Sequence, residues 1–497
     1  MVAGEEMSGR LEWRINVSNG ASKVLEPEQG LVGRVWHKAY SLMIMKIWKF
    51  LVNCWKIGVA EPRKFIHCVK VGVALSVVSL FYYMRPLYEG VGGNAMWAIM
   101  TVVVVSEYTV GSTIYKSVNR VIATTIAGSI GVGVHWLASH CDRRYQPFVL
   151  GASVFVFAST ATFSRFIPTV KARFDYGAMI FILTFSLVSI SGYRVEELVM
   201  MAQNRASTVA IGISLVILVS MLCWPVWAGD HLHNQTINNL DKLANSLEGH
   251  VADYFNNQEN DKISEEELKK KLQGYKCVLN SKATEESMAN FATWEPAHGR
   301  FYFGYPWKQY LKIGAAARSC AYCIDSLNSC IDSKLQVPEF LKNHIVDKCT
   351  RLSSCCSDVL KELVTSIKTR ERQSNIDFLV DKMIFQVEEF QNAIKAVPCE
   401  ILFQVSTTNE NSVDRNREKI ENSNQSSLLD VMSLGLVSTL LIEIVGRIEE
   451  IAQEVDKLSN MAEFKIKKEN KLQEIQPGAC NQTKTEGQET MKAIEEV

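Results

Sequence analysis

The chain has 497 residues with 53 basic and 53 acidic side chains, so it is formally neutral, and 47% of its residues are hydrophobic. This balance excludes the strong positive charge of a nucleic-acid-binding protein, and the length is sufficient for a membrane domain plus a soluble domain. The average hides an asymmetry, because 21 basic and 12 acidic residues lie up to Ala228, whereas 32 and 41 follow it. The sequence therefore predicts two chemically different parts.

The N-terminal segment, 1–64, is interpreted as cytosolic. Its first twenty residues mix both charges and lack the basic start, short apolar run and cleavage site of a secretory signal peptide. We therefore expect the first membrane helix to direct insertion.

Residues 65–228 contain about six apolar segments, which predict an all-α membrane domain. The first, 65–84, has 20 residues and as a helix would cross a hydrocarbon core of about 30 Å. The second, 95–105, is shorter than a full crossing, so a broken, tilted or re-entrant helix stays open. The other segments are 118–137, 148–163, 176–193 and 206–227.

The glycines before the second apolar segment have two interpretations. Gly90, Gly92 and Gly93 either permit close helix packing or break a helix so that its N-terminal amides face an anion path. Trp97, about one turn later, is either a hydrophobic gate or a packing residue.

Six crossings place both termini on one side of the membrane. With a cytosolic N-terminus, the inner flanks and loops hold more basic residues than the outer ones, as the positive-inside rule requires. The sequence thus predicts cytosolic N- and C-termini.

After Ala228, apolar residues recur at helical spacing among charges, for example at Leu240, Leu243 and Leu247, which predicts a cytosolic all-helical domain over 229–405. Residues 406–426 have almost no apolar side chains and are interpreted as a disordered linker. A C-terminal helix over 427–469 and a disordered tail over 470–497 complete the prediction. Helices are expected near 264–280, 305–329, 338–367, 375–397 and 427–468.

The 13 cysteines are scattered and form no disulfide framework. Cys320 and Cys323 make one CxxC pair, but a second pair is missing, so we expect reduced thiols and neither a metal nor another cofactor.

The polar residues in or beside the apolar segments are mostly cationic. A charge near the bilayer centre costs about 2.5–3.5 kcal/mol on insertion scales, so several of one sign require a use, and the use we favour is anion conduction. Glu107 and Asp175 are the natural partners of this set. Lys70 has two open interpretations, snorkelling or pairing with a carboxylate. The expected anion pathway comprises Lys116, Arg120, Arg165, Lys171, Arg173 and Arg205.

A topology signal is the alternative for some of these cations. Arg165, Lys171 and Arg173 lie in one predicted cytosolic connection, where the positive-inside rule alone would place them. Arg120 lies deeper in its segment, four residues from Lys116 and on the same helix face, so this alternative is weaker there.

Several ordered strings resemble the plant aluminium-activated malate transporter family, which comprises anion channels. They are residues 86–98 (PLYEGVGGNAMWA), 109–113 (TVGST), 165–168 (RFIP), 171–177 (KARFDYG), 225–229 (PVWAG) and 294–301 (WEPAHGRF). The likeness covers about 64–462. Ser112 and Ser117 stand where small Ala or Gly is expected, and Phe174 replaces a common Tyr, which affects fine selectivity rather than class.

The resemblance implies a homodimer of six-helix subunits with a cytosolic helical domain and a basic pore. Such a channel passes malate and inorganic anions down their electrochemical gradients and contacts membrane lipid. We expect a plasma-membrane rather than a vacuolar location. No sequence element could be tied to aluminium.

The string from Trp294 to Phe301 gathers Glu295, His298 and Arg300, which is suggestive of a ligand site. A structural turn is favoured, because Pro296 and Gly299 punctuate two helices, while Trp294 and Phe301 could fix them to the core.

The sequence lacks a Gly-x-Ser-x-Gly elbow, a Walker-type phosphate loop and a His-Glu-x-x-His motif, so we expect no enzyme. The main alternative is a proton-coupled secondary exporter of organic or aromatic acids. A weaker alternative is a membrane-anchored scaffold. Coupled exporters normally need a titrating carboxylate or histidine within the membrane, whereas the deep charges here are largely Lys and Arg.

Overall fold

The computed structural model describes residues 14–16, 22–24, 31–84, 95–142, 144–192, 198–255, 273–332, 339–409 and 417–466. The chain separates into two compact units, Met1–Val226 and Trp227–Val497. The predicted change of character at Ala228 lies beside this division.

The first unit is helical apart from one short antiparallel strand pair, in which Ile15 lies opposite Lys23. Its described elements are β1 (Arg14–Asn16), β2 (Ser22–Val24), α1 (Leu31–Ala60), α2 (Pro62–Tyr83), α3 (Ala95–Val105), α4 (Val110–Ser139), α5 (Gln146–Ser164), α6 (Pro168–Gly192) and α7 (Leu198–Leu222).

Four described helices are long and apolar enough to cross a membrane. These segments are Val110–Ser139, Gln146–Ser164, Arg173–Ile190 and Arg205–Leu222. Only 6% of the α5 segment is buried within the chain, so its apolar side chains, Phe148 and Phe155 among them, are exposed on the surface of this unit. The chain is a membrane protein with several apolar helices.

The first two predicted spans also form helices, although neither is among these four. Helix α2 covers the predicted 65–84 segment but begins with Arg63 and Lys64 and contains Lys70. Helix α3 has 11 residues, which is about 16 Å of helix, so it is shorter than a hydrocarbon core. The predicted break at Gly90–Gly93 lies outside the described residues.

Helix α4 is central to the packing of this unit, since it lies against α6 and α7. Helix α3 packs between α2 and α7, and their small core contains Val78, Val102 and Val216. Thr109 caps α4, because its hydroxyl accepts from the backbone N–H of Ser112 at 3.2 Å. The hydroxyls of Ser112 and Ser117 donate to backbone carbonyls one turn earlier, which satisfies them within this tight packing.

The second unit is an all-helical domain with one two-residue parallel strand pair. Its described elements are α8 (Ala228–Phe255), α9 (Gly274–Leu279), α10 (Lys282–Ala292), α11 (Trp307–Asp332), α12 (Glu339–Thr369), β3 (Glu371–Arg372), α13 (Asn375–Asn409), α14 (Arg417–Met461) and β4 (Lys465–Ile466). Helix α11 packs against α14, and α12 against α8 and α13. Their apolar stripes enclose one core that includes Leu240, Tyr310 and Ile324.

Some helices differ from the sequence-based expectation. Helix α1 occupies half of the segment that was assigned only as N-terminal, and α10 was not anticipated. Helices α13 and α14 extend into the predicted 406–426 linker from both sides, because Glu, Arg and Lys are good helix formers even without an apolar stripe. Residues 410–416 lie outside the described residues, as do 256–272 and the tail from 467.

Candidate functional site

One face of α4 carries the deepest predicted cations. Lys116, Arg120, Thr124 and Gly128 follow one another at intervals of four residues, so they form a continuous stripe along about 18 Å of helix. This length is more than half of a hydrocarbon core.

Tyr176 on α6 joins Lys116 and Arg120. The Lys116 ammonium lies 5.5 Å from the centre of the Tyr176 ring, and Arg120 Nη1 donates to the Tyr176 hydroxyl at 3.4 Å. Lys116 also forms an ion pair with Glu107, whose carboxylate lies just before α4. Arg120 is buried, and its Nε has no hydrogen-bond partner among the described residues.

A second ion pair lies in the connection between α5 and α6. Arg165 Nε is 2.7 Å from Asp175 Oδ1, and Arg165 Nη2 is 3.3 Å from Asp175 Oδ2, so the contact is bidentate. Both side chains are about one-third exposed. The positive charge of Arg165 is thus balanced locally.

The remaining cations of the predicted set divide between surface and interior. Lys171 and Arg173 are exposed, and the backbone carbonyl of Arg173 accepts a hydrogen bond from the Tyr115 hydroxyl. Lys70 on α2 is buried and shares one small gap with Glu107 and Thr113. It forms no ion pair within the described part of the chain.

A cavity of about 470 Å³ lies between α4, α6 and α7. Thr124, Thr125, Gly128 and Ser129 line it from α4, and Arg205 lines it from α7. Its walls therefore combine hydroxyl groups, small residues and one guanidinium with aliphatic side chains. The Arg205 guanidinium and the hydroxyl groups are the parts of this lining that can donate hydrogen bonds to a small anion.

Arg205 is held by Trp97 rather than by a carboxylate. The guanidinium carbon lies 4.2 Å from the centre of the Trp97 ring, and both side chains are partly exposed. Among the residues that the structure describes, neither Arg120 nor Arg205 forms an ion pair. These two cations differ in this respect from Lys116 and Arg165.

In the second unit, the string from Trp294 to Phe301 contacts the start of α8. The buried Glu295 carboxylate accepts the N–H of Ala228 at 2.6 Å and that of Gly229 at 3.0 Å. A carboxylate at a helix N-terminus accepts hydrogen bonds from two N–H groups that have no partner within the helix. Its negative charge also interacts favourably with the positive end of the helix dipole. Gly229 permits the close packing of Trp307 against this turn, since a Cβ there would lie 2.4 Å from the Trp307 ring.

His298 stacks on Trp227 with ring centres 3.9 Å apart, and its Nδ1 lies 2.9 Å from the Pro296 carbonyl oxygen. Its Nε2 is buried, has no hydrogen-bond partner within the described ranges and lies 3.9 Å from Glu295 Oε2. Phe301 is buried as expected of a core residue. Trp294, for which the same role was expected, follows the last turn of α10 and is 39% exposed.

No group of three His, Cys, Asp or Glu side chains in the described ranges is placed to share a metal ion. Cys320 is buried in the core of the second unit, and burial raises the pKa of its thiol to about 12. This thiol therefore stays protonated at neutral pH.

Two features of the site were missed from the sequence. Tyr176 lies in a quoted string but was given no role, and the hydroxyl-lined cavity was not anticipated. Extending the four-residue interval from Arg120 to Thr124 and Gly128 would have found one wall of the cavity. The contributions of α6 and α7 depend on helix packing and carry no such signal.

The sequence of this chain is similar to known proteins over most of its length. A family model described as aluminium activated malate transporter matches residues 55–428. Aluminum-activated malate transporter 10 of Arabidopsis thaliana is 49% identical over 477 residues, which are 92% of this chain and 95% of that protein. Aluminum-activated malate transporter 1 of Triticum aestivum is 40% identical over 428 residues, which are 84% and 87% of the respective chains. The range matched by the family model includes the α4 face and the cavity.

Proposed function

Since the chain belongs to the aluminium activated malate transporter family, we propose that it is an anion channel passing malate and inorganic anions across a plant membrane down their electrochemical gradients. The observation that carries this proposal is a pair of cations, Arg120 on α4 and Arg205 at the cavity, that have no carboxylate partner among the residues the structure describes. Both lie in helices whose other side chains are largely apolar.

The cost of these charges supports a transport role. An unpaired cation in the membrane interior is costly, whereas an ion pair partly compensates its own charge. Lys116 and Arg165 have such compensation through Glu107 and Asp175. Arg120 and Arg205 would instead obtain it from a passing anion.

The distribution of sites favours conduction over tight binding. A channel needs several sites, each attractive enough to admit an anion and weak enough to release it. The α4 stripe would provide successive sites at Lys116, Arg120 and the cavity, with Lys171 and Arg173 attracting anions at the entrance. In a homodimer the set would be doubled.

In this proposal both termini of the chain lie in the cytosol. The host membrane is the plasma membrane. The helical second unit would then be cytosolic and would help to gate the pore, because α8 follows α7 after a short connection. The Glu295 contacts fix the first turn of α8, so movement of α8 would reach α7 without being lost at a frayed helix end.

Recording from excised membrane patches tests the proposal. The full chain is expressed with a surface tag, and malate and chloride are varied on one side at constant pH. A channel gives currents that reverse near the equilibrium potential of the permeant anion. A reversal potential that follows the pH gradient at fixed anion concentrations would instead indicate the proton-coupled exporter. Surface-expressed protein without current would contradict both.

A further inference from the structure

Helix α1, which precedes the membrane-spanning block, has an apolar surface that the described structure leaves uncovered. From Tyr40 to Ala60 every side chain is exposed except Val52 and Gly58, which are half-buried. Large apolar side chains make up most of this surface. The most exposed are Trp55 at 75% and Trp48 and Phe50 at 67% each.

The charges of α1 have one sign. Between Leu31 and Ala60 the sequence has Arg34, Lys38, Lys46, Lys49 and Lys56 but no Asp or Glu. At about 100° per residue, these five cations fall within an arc of roughly 120°. Trp48, Phe50 and Ile47 lie on the opposite, broader arc. A basic stripe beside an aromatic-rich apolar face is typical of a helix that lies in a membrane surface.

The position of α1 in the chain also favours a location at the membrane surface. Only Glu61 separates it from α2, and Pro62 begins the new helix. Proline at the first position of α2 ends α1, because its ring disfavours helical geometry in the residue before it. Helix α1 is therefore joined through a single residue to α2, which packs against α3 and α7. Its length of 30 residues corresponds to about 45 Å.

The charge of α1 distinguishes the two partners that could cover its exposed face, a second copy of α1 and anionic lipid. A second copy of α1 would bring like charges together, whereas the anionic lipids of a cytosolic leaflet attract lysine-rich segments. Five cations also make α1 unfavourable as a span, and it is not among the four helices long and apolar enough to cross.

We propose that α1 is an interfacial helix, with its aromatic face at the boundary of headgroups and acyl chains and its lysines bound to acidic phospholipid headgroups. This inference uses the cytosolic N-terminus of the proposed function. It adds a lipid-binding site that is separate from the anion pathway.

Hydrogen exchange of the full-length protein in lipid nanodiscs tests the inference. The discs contain phosphatidylcholine alone or phosphatidylcholine with phosphatidylserine, and peptides from 40–60 are followed by mass spectrometry. We expect exchange in this segment to be about tenfold slower in the anionic discs. The triple variant K46Q/K49Q/K56Q should lose most of the difference. The matched control K276Q/K282Q/K308Q alters three exposed lysines of the second unit and should keep it.

A second readout measures depth. Brominated phosphatidylcholine should quench the part of the tryptophan emission that the variant W48F/W55F removes. Equal exchange in both lipid compositions, or emission from Trp48 and Trp55 that brominated lipid leaves unchanged, would overturn the inference. Protection that appears only when each disc holds two copies would assign the face to a second chain. No measurement here depends on anion current, so a negative result would leave the proposed channel activity intact.

Discussion

Arg205 on α7 lies with its guanidinium carbon 4.2 Å from the centre of the Trp97 ring on α3, so an aromatic face holds a cation at the edge of the cavity. Cation–π contacts contribute about 0.5–1 kcal/mol at exposed sites and about 2 kcal/mol in desolvated ones, and this partly exposed pair lies between these limits. The two sequence-based interpretations of Trp97, gate and packing residue, did not include this contact. We infer that Trp97 orients Arg205 without neutralising it.

Neutralising Arg205 should reduce the anion current. The variant R205Q removes the only cation that lines the described cavity, and we expect malate current to fall about tenfold, which corresponds to about 1.4 kcal/mol of lost attraction. R205K should retain more current, since an ammonium can still lie over Trp97. W97L should give an intermediate loss, because Arg205 keeps its charge but loses its support. Whole-cell current normalised to surface expression measures all three variants, and wild-type current in R205Q would remove Arg205 from the pathway.

A steric test distinguishes the cavity from the exposed surface of the same helix. Gly128 lines the cavity, and a Cβ added there meets no atom within 4 Å. Gly133 is equally open but exposed and outside the cavity lining. We expect G128L to fill the cavity and abolish most of the current, while G133L retains it. Equal currents in the two variants, at equal surface expression, would show that anions do not use this cavity.

Arg120 and Arg165 should behave differently although both belong to the predicted pathway. R120Q removes a buried charge that has no ion-pair partner among the described residues, so malate-over-chloride preference should change. R165Q leaves Asp175 without its partner, so surface expression should fall, and the double variant R165Q/D175N should restore it. R144Q, at an exposed loop position, is the matched control and should change neither property. Reversal potentials under mixed malate and chloride, together with surface labelling, measure these effects. Unchanged selectivity in R120Q would contradict its role.

Features that depend on neighbouring residues in the sequence could be predicted, whereas contacts between residues far apart in the sequence could not. Apolar length predicted helices at α2 and α4 to α7, since it is a local property of the sequence. Helix α1 was missed because its apolar residues are interrupted by lysines, which conceals a continuous apolar face. Reading residues 31–60 at 100° per residue would have separated the two faces.

Contacts between side chains were harder to predict from the sequence than the helices. Glu107 and Asp175 were expected as partners of the cationic set without a specific pairing, and in the structure they pair with Lys116 and Arg165, nine and ten residues away. The contacts of Arg120 with Tyr176 and of Arg205 with Trp97 join residues 56 or more positions apart. They depend on which faces of α3, α4, α6 and α7 pack together, and a single sequence does not encode this in any local pattern.

The Glu295 carboxylate should stabilise the second unit through the N-terminus of α8. E295Q keeps the size of the side chain but replaces one accepting oxygen with an NH₂ group, which leaves a buried N–H of Ala228 or Gly229 without an acceptor. We expect a loss of about 1–3 kcal/mol in unfolding free energy and a fall in Tm of about 2–12 °C. E286Q, at an exposed position of α10, is the matched control and should change the Tm little. Thermal unfolding of the detergent-solubilised full chain gives both values, and equal Tm values for the two variants would contradict the capping role.

His233 should make the second unit less stable as the pH falls. Its ring is buried, with Nδ1 2.8 Å from the Tyr310 hydroxyl, and burial, together with the charges of Arg370 and Arg300, lowers its pKa from 6.5 to about 4. Above pH 6.5 neither the folded nor the unfolded form binds this proton, so the stability is flat. Between pH 6.5 and 4 only the unfolded form binds it, so the free energy of unfolding falls with decreasing pH, by about 3 kcal/mol at most.

The variant H233Q isolates this effect from that of the carboxylates. Glutamine can still hydrogen-bond to Tyr310 but does not titrate, so the variant should be less stable at pH 7.5 and should lose less stability on acidification. The exposed His140 provides the control, since H140Q should keep the wild-type pH dependence. Tm values from pH 7.5 to 4.5 test the difference between the curves. If wild type and H233Q lose stability in parallel over this range, the folded form binds the proton as readily as the unfolded form, and His233 does not cause the acid sensitivity.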